Sequence, residues 1–118
     1  KPNMVFAGQK AAKQASPQEV AEKTLKCLKA TVPAAVPGIA FLSGGQSDEA
    51  ATEHLSLMNA IGGAPWPLTF SYGRALQAAA IQAWHGKHVD AGAKAFSHRA
   101  RMNGLAAQGT WDKKLEAA

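Results

Sequence analysis

The sequence has one cysteine and no long apolar run in its 118 residues. Cys27 alone cannot form an internal disulfide, which leaves no basis for a disulfide-stapled secreted fold and favours a reducing compartment. The sequence contains no stretch of 18 apolar residues that could cross a membrane, and the opening KPNMVFAGQK lacks the apolar segment of a signal peptide. These absences predict a cytoplasmic protein with no membrane partner.

Charge of one sign is only in modest excess. The chain has 13 Lys and Arg against 8 Asp and Glu, a net charge of +5. The basic residues are spread along the chain rather than massed with aromatic residues, so we expect no nucleic-acid partner. We interpret them as solvated helix surface and the net charge as a mild attraction for anionic small molecules. A composition of 47% hydrophobic and 18% charged residues is typical of one small folded domain.

The first helix is predicted to begin after Ser16. The tetrapeptide Ser-Pro-Gln-Glu places a hydroxyl at the N-cap, proline at the first helical position and Glu19 at the third. Pro33 ends the helix. We interpret Cys27 on this helix as a buried thiol, because the sequence suggests no His or Asp partner. The predicted buried face carries Val20, Thr24, Leu25, Leu28 and Val32.

Two strand–loop–helix units follow. The short apolar runs 39–42 and 68–72 are each bounded by turn residues, which favours strands, and the first is typical of a strand buried on both faces of a parallel sheet. Helices are predicted after Ser47, over about 75–84 and over about 90–108. The buried face of the helix after Ser47 should carry Ala51, Leu55, Met58 and Ile61.

Alternating strands and helices predict an α/β fold with a parallel sheet, either open and doubly wound or closed as a barrel. Two parallel strands alone leave both edges of the sheet unshielded, and a closed barrel typically has about 250 residues. We therefore expect this chain to be part of a larger fold. In both designs ligands bind at the carboxyl ends of the strands.

Two glycine loops stand at those strand ends. Ser43-Gly44-Gly45 precedes a helix, so its backbone N–H groups and the helix dipole can point at one anion. Gly73-Arg74 occupies the equivalent place in the next unit and adds a guanidinium that can grip phosphate at two points. The alternative is that the glycines only make tight turns and that Arg74 is a surface charge.

The histidines and tryptophans carry weaker signals. His85 and His88 flank a glycine and have no nearby carboxylate or cysteine pair, so we expect no metal site. His54 and His98 are interpreted as helix-surface residues. The tryptophans are interpreted as packing anchors, and they are Trp66, Trp84 and Trp111.

Four sequence blocks in series resemble the class I (Schiff-base) fructose-1,6-bisphosphate aldolases. The order and spacing of the blocks match as well, and the resemblance covers residues 1 to about 109. Four matched blocks are far more specific than one glycine loop. The blocks are KPNMV at 1–5, TVPAAVPG at 31–38, FLSGGQS at 41–47 and LTFSYGRALQ at 68–77.

The resemblance implies a (β/α)8 TIM barrel. Residues 1–109 would be its C-terminal portion, comprising the end of strand 6, βα units 7 and 8 and the terminal helix, and residues 110–118 would be a polar C-terminal tail. Lys1, in the KPNMV block, maps onto the lysine that forms the Schiff base. The residues that map onto the family's phosphate-binding loops are Ser43, Gly44, Gly45, Ser71, Gly73 and Arg74.

The implied activity is reversible cleavage of fructose 1,6-bisphosphate to dihydroxyacetone phosphate and glyceraldehyde 3-phosphate, a step of glycolysis and gluconeogenesis. The imine chemistry needs no metal and no other cofactor. The expected partners are these sugar phosphates, the remainder of the barrel and identical subunits, since family members are commonly homotetramers. The acid and base carboxylates and the second phosphate site would lie outside this chain.

The sequence departs from the family in two places. Animal members end in a tyrosine that takes part in proton transfer, whereas this chain ends in KLEAA and its only tyrosine is Tyr72. The residues after KPNMV also differ, which we expect to alter a loop and not the mechanism. The main alternative is a non-catalytic phosphate-binding fragment, which needs the loops but no imine at Lys1. A nucleic-acid-binding domain would show affinity that falls steeply with salt.

Overall fold

The computed structural model describes residues 1–117. Helices and strands alternate in the order that the sequence predicts. Their bounds are α1 Pro17–Thr31, β1 Ile39–Phe41, α2 Asp48–Ile61, β2 Leu68–Phe70, α3 Arg74–Trp84, α4 Val89–Ala107 and a short 3-10 helix, Lys113–Ala117. The strands are one and two residues shorter than the apolar runs, because pairing stops where the loops turn away.

The two strands pair in parallel, which confirms the α/β prediction. Ile39 lies opposite Leu68 and Phe41 opposite Phe70. Past the last pair, the Ser71 amide donates to the Phe41 carbonyl at 2.9 Å. Both strands therefore end at the same edge of the sheet, and their following loops leave side by side.

Helix α1 begins and ends near the predicted residues. The Ser16 hydroxyl accepts from the Glu19 amide at 3.2 Å, while the Glu19 carboxylate pairs with Lys23 at 2.7 Å. The prediction of a buried Cys27 was wrong, since its thiol is exposed. The buried stripe runs through positions 20, 21, 24, 25 and 28, and the 3.6-residue period leaves position 27 beside it.

The core lies between the sheet and α2. Phe41, Leu55 and Met58 are fully buried, and α4 adds Met102. Ile61, in the last turn of α2, is 44% exposed instead of joining the predicted apolar face. Helix α2 contacts α1, α3 and α4, so it holds the molecule together and also carries the loop after β1 at its amino end.

The segment after α4 packs against that helix. Glu116 receives two parallel hydrogen bonds from the Arg99 guanidinium, both at 2.8 Å, and a third from the Trp111 indole at 2.9 Å. The Arg99 and Glu116 side chains are only 8% and 10% exposed. We call Arg99, Trp111 and Glu116 the clasp. The sequence predicts a polar tail over 110–118, and it contains no local signal for these distant contacts.

Candidate functional site

The two glycine loops meet at the carboxyl edge of the sheet. Ser43 is buried there, while Gly44 and Gly45 are exposed. Ser71 and Gly73 are exposed at the neighbouring strand end. Because the strands pair in parallel, the structure brings together the two loops that the sequence singles out, and it presents both to solvent.

Arg74 links the two loops. One guanidinium nitrogen contacts the Asp48 carboxylate at 2.9 Å, and the other donates to the Ser43 carbonyl at 3.1 Å and to the Gln46 carbonyl. The side chain of Arg74 is 51% exposed, so this contact is not sealed from solvent. Arg74 is therefore more than a free surface charge, because it ties the start of α3 to the loop after β1.

The two helix starts at this edge differ in their caps. At α2 the Ser47 hydroxyl accepts from the Ala50 amide at 3.1 Å. At α3 the cap is Gly73, and within residues 1–117 no side chain accepts from the first amides of that helix. Free amides at a helix start attract an anion through hydrogen bonding and the helix dipole. The start of α3 is thus the more available of the two.

Gly45 is required for local structure. Its φ is +81°, in the left-handed region that favours glycine. A Cβ at this position would lie 2.9 Å from the Phe6 ring. The tight-turn interpretation therefore applies to Gly45, and it is compatible with anion binding because the same turn exposes the backbone.

The segment that contains Lys1 lies along the same edge. The Pro2 carbonyl accepts from the Leu42 amide at 3.0 Å, and the Asn3 side chain donates to the Gly44 carbonyl at 3.1 Å. Lys1 is exposed and one residue from these contacts. The structure thus joins the backbone next to Lys1 to the Ser43–Gly45 loop, although more than 40 residues separate them in sequence.

A partly buried chain of polar side chains supports this edge, and the sequence interpretation missed it. His54 Nδ1 lies 2.7 Å from Gln46 Oε1, and Gln46 Nε2 lies 3.3 Å from Asn3 Oδ1. The prediction of His54 as a helix-surface residue was wrong, because it is buried. Its three- and four-residue spacing from Ala51 and Met58, both on the buried face, is the signal that could have found it.

Burial lowers the pKa of His54 to about 4, so the imidazole is neutral near pH 7. A cavity of about 460 Å³ lies beside it, between the segment that precedes α1 and the start of α2. Its wall includes Phe6, Gly45 and Gln46 as well as His54, and no charged side chain lines it. The imidazole therefore has no ionic partner on that side to favour its charged form.

The remaining candidates lie elsewhere. His85 and His88 are exposed in the turn between α3 and α4, and His98 is 3.4 Å from Glu116 of the clasp. Residues 1–117 contain no group of three or more His, Cys, Asp or Glu side chains that could hold a metal ion. Among these residues, no helix is both long and apolar enough to span a membrane. Trp66 is buried and donates to the Pro33 carbonyl at 2.8 Å.

Comparisons with known proteins agree on one family. The model of the glycolytic fructose-bisphosphate aldolase class-I family matches residues 1–118. A probable fructose-bisphosphate aldolase class 1 of Xanthomonas campestris pv. campestris is 54% identical over 114 residues, which cover 94% of this chain and 34% of that protein. Fructose-bisphosphate aldolase B of Sparus aurata is also 54% identical, over 94% of this chain and 31% of that protein.

A solved structure gives the same result for the backbone. The Plasmodium falciparum fructose-bisphosphate aldolase, crystallised with TRAP and a small-molecule inhibitor, superimposes with a TM-score of 0.90 at 46% identity. The match covers 94% of this chain and 33% of that one. This chain thus spans about a third of the length of the curated relatives it matches.

Proposed function

This chain belongs to the class I fructose-bisphosphate aldolase family, and from that premise we propose that it works as the C-terminal part of a (β/α)8 barrel. Residues 1–109 supply the end of strand 6, βα units 7 and 8 and the terminal helix. The open edges of the two-stranded sheet support this, as does the hydrogen bond from Leu42 to the Pro2 carbonyl, where the preceding strand of a barrel would end.

The activity we propose is the reversible cleavage of fructose 1,6-bisphosphate into dihydroxyacetone phosphate and glyceraldehyde 3-phosphate. One observation supports it: Pro2 and Asn3 are hydrogen-bonded to Leu42 and Gly44, which brings the backbone next to Lys1 to the edge where both candidate phosphate loops lie. A phosphate held at the loops positions the ketose carbonyl near the lysine.

Lys1 acts as the nucleophile. Its amine adds to the C2 carbonyl and water leaves, giving a protonated imine that withdraws electrons from the C3–C4 bond. When that bond breaks, its electron pair forms an enamine on the three carbons attached to Lys1. The C4 hydroxyl loses its proton and becomes the aldehyde of glyceraldehyde 3-phosphate. Protonation of the enamine at C3 and hydrolysis of the imine then release dihydroxyacetone phosphate and the free amine.

The phosphate-binding residues in this proposal are backbone amides and one guanidinium. Ser43, Gly44 and Gly45 offer the first loop, and Ser71, Gly73 and Arg74 offer the second. The uncapped amides at the start of α3 support this role. A phosphate competes with Asp48 for the guanidinium of Arg74, since both are anions and the contact with Asp48 is open to solvent. Lys1 is exposed here, so in this proposal the rest of the barrel shields its amine from water.

Borohydride trapping tests this function. The assembled protein, meaning this chain together with the remainder of its barrel, is incubated with dihydroxyacetone phosphate and reduced with borohydride. Its peptides are then mapped by mass spectrometry. We expect one triose phosphate adduct on Lys1 and none on Lys26, an exposed lysine of α1 that serves as the internal control. An adduct elsewhere, or none, would refute the assignment.

The non-catalytic alternative has one observation in its favour. Both loops and the Arg74 contacts that join them are complete within this chain. A phosphate-binding part without its own catalysis would bind inorganic phosphate and form no adduct. The homotetramer implied by the family resemblance is a separate proposal, which sedimentation of the assembled protein would test.

A further inference from the structure

Three side chains connect helix α2 to the segment that contains Lys1. His54 bonds to Gln46 at 2.7 Å, Gln46 bonds to Asn3 at 3.3 Å, and Asn3 bonds to the Gly44 carbonyl at 3.1 Å. We call Asn3, Gln46 and His54 the amide–imidazole chain. His54 and Gln46 are buried, with 7% and 8% exposed, so the hydrogen bond between them is shielded from competing water. Asn3 is exposed, and its bond to Gly44 lies at the surface.

Backbone groups determine the direction of every bond in this chain. The Met4 amide donates to Asn3 Oδ1 at 2.9 Å, and the Gly44 carbonyl accepts from Asn3 Nδ2. Because these backbone groups cannot exchange roles, the amide of Asn3 has only one satisfactory orientation. Its Oδ1 is an acceptor, so Gln46 must present Nε2 to it and Oε1 to the histidine. His54 must therefore carry its proton on Nδ1.

Gln46 also contacts both phosphate loops through its backbone. Its amide donates to the Ser43 carbonyl at 3.1 Å, and its carbonyl accepts from Arg74. The side chain of the same residue bonds to Asn3, two positions from Lys1. Gln46 is thus in contact with all three parts of the site, while His54 determines which way its amide points.

We propose that Asn3, Gln46 and His54 are positioning residues, which hold the backbone of Lys1 at a set place relative to the phosphate loops. The inference rests on the proposed function and adds residues that do not touch substrate. A phosphate bound at the loops fixes one end of the ketose, and the chain fixes the amine that must reach its carbonyl. An error of about 1 Å between reacting groups costs about 100-fold in rate.

The test uses two substitutions of His54, one that loses the hydrogen-bond donor at Nδ1 and one that restores a donor there. His54→Phe keeps a ring and loses the donor, whereas His54→Asn places an amide N–H near the position of Nδ1. Gln46→Leu removes both side-chain bonds at the centre of the chain. Gln18→Leu is the matched control, because Gln18 is exposed on α1 and its side chain, within the described residues, bonds to Glu22 and not to the site.

Each variant is made in the assembled protein, and two quantities are measured per folded molecule. They are the rate of borohydride-trapped adduct formation at Lys1 with dihydroxyacetone phosphate, and the Kd for inorganic phosphate. We expect His54→Phe and Gln46→Leu to trap at least about 10-fold more slowly, with the phosphate Kd changed by less than about threefold. His54→Asn should return the rate to within about threefold of the native protein.

Other outcomes overturn the inference. If His54→Phe and Gln46→Leu form the adduct at the native rate, the amide–imidazole chain does not position Lys1. If the rate and the phosphate affinity fall together and His54→Asn gives no rescue, the chain only stabilises the loop. A native protein that forms no adduct refutes the proposed function and this inference with it, and that pattern is distinct because it already appears without substitution.

Discussion

The amide–imidazole chain and the clasp both join distant parts of the sequence, but they use different groups. The amide–imidazole chain consists of neutral side chains, and each of its hydrogen bonds can be donated in one direction only. The clasp is a charged pair, with Arg99 and Glu116 bonded twice in parallel. Within residues 1–117, Arg99 Nε in the clasp and Asn103 Nδ2, one turn further along α4, have no hydrogen-bond partner.

This difference separates orientation from attachment. Removing one partner of a buried ion pair strongly destabilises the folded protein, because an uncompensated buried charge remains. Removing a partner from a neutral amide lowers the free energy of unfolding by less. The fixed donor and acceptor roles of the amide nevertheless determine which way each side chain points. The clasp should therefore affect whether the molecule stays folded, while the chain should affect how fast the folded molecule reacts.

The largest effect is expected at Lys1. Lys1→Ala removes the amine to which we assign imine formation, so cleavage of fructose 1,6-bisphosphate should be abolished in the assembled protein. Binding of inorganic phosphate, measured by calorimetry, should be retained because the loops are unchanged. Lys26→Ala, on the exposed face of α1, is the control. An active Lys1→Ala protein would remove the reason for assigning the chemistry to this edge.

The next effect should appear at the clasp. Arg99→Leu leaves the carboxylate of Glu116 without its partner, and we expect a loss of about 3 kcal/mol in the free energy of unfolding. Urea unfolding at pH 7 measures it, and the trapping rate of the remaining folded protein should be native. Equal stability of the variant, or slower trapping per folded molecule, would show that clasp and site are not separate.

A smaller loss is expected in binding. Arg74→Ala removes a guanidinium that would bond to phosphate, so the Kd for fructose 1,6-bisphosphate should rise about 10- to 100-fold. Arg101→Ala provides a comparison, since Arg101 is exposed on α4 and its side chain makes no hydrogen bond or ion pair with the loops within residues 1–117. An unchanged Kd would mean that Arg74 serves the loop only through its contacts with Asp48 and the two carbonyls.

The smallest effect is one of pH, and it separates the two regions by where they titrate. The pKa of His54 is lowered from 6.5 to about 4 by burial. Between these pH values the unfolded state therefore binds more protons than the folded state. The contribution of neutral His54 to the free energy of unfolding is complete above pH 6.5 and is lost as the pH falls towards 4. At pH 5 the loss should be about 1 to 2 kcal/mol.

Glu116 affects stability over a pH range that begins lower, at its usual pKa of 4.5. Burial raises its pKa, but hydrogen bonds from Arg99, Trp111 and His98 and the charge of Arg99 outweigh burial and lower it below 4.5. Its contribution is present above pH 4.5 and is lost as the pH falls through the lowered value. Urea unfolding at several pH values should show that His54→Asn reduces the pH dependence of the free energy of unfolding between pH 6.5 and 4. Glu116→Gln should reduce it below pH 4.5. If His54→Asn leaves the dependence between pH 6.5 and 4 unchanged, burial of His54 is not its cause.

The sequence predicts the parts of this molecule that depend on local signals. Ser16 and Ser47 cap helices as their positions indicate, and the apolar runs form parallel strands. The shared edge of the two loops follows from parallel pairing alone. These features need only neighbours within a few residues, or the general rule that parallel strands end together.

The missed features depend on pairing at long range. Glu116 finds Arg99 17 residues away, and Gln46 finds Asn3 43 residues away. No periodicity encodes which polar side chains will meet once helices pack. His54 was recoverable, because it lies on the buried face of α2, and so was the exposure of Cys27, because position 27 lies beside the predicted buried stripe of α1.

Arg74 has a consequence for the thermodynamics of ligand capture. Its bonds to the Ser43 carbonyl and to Gln46 order the first loop before any ligand arrives. The conformational entropy of that loop is therefore lost during folding and not during association. A phosphate should meet a preorganised receptor, with a favourable enthalpy that little ordering of the backbone offsets.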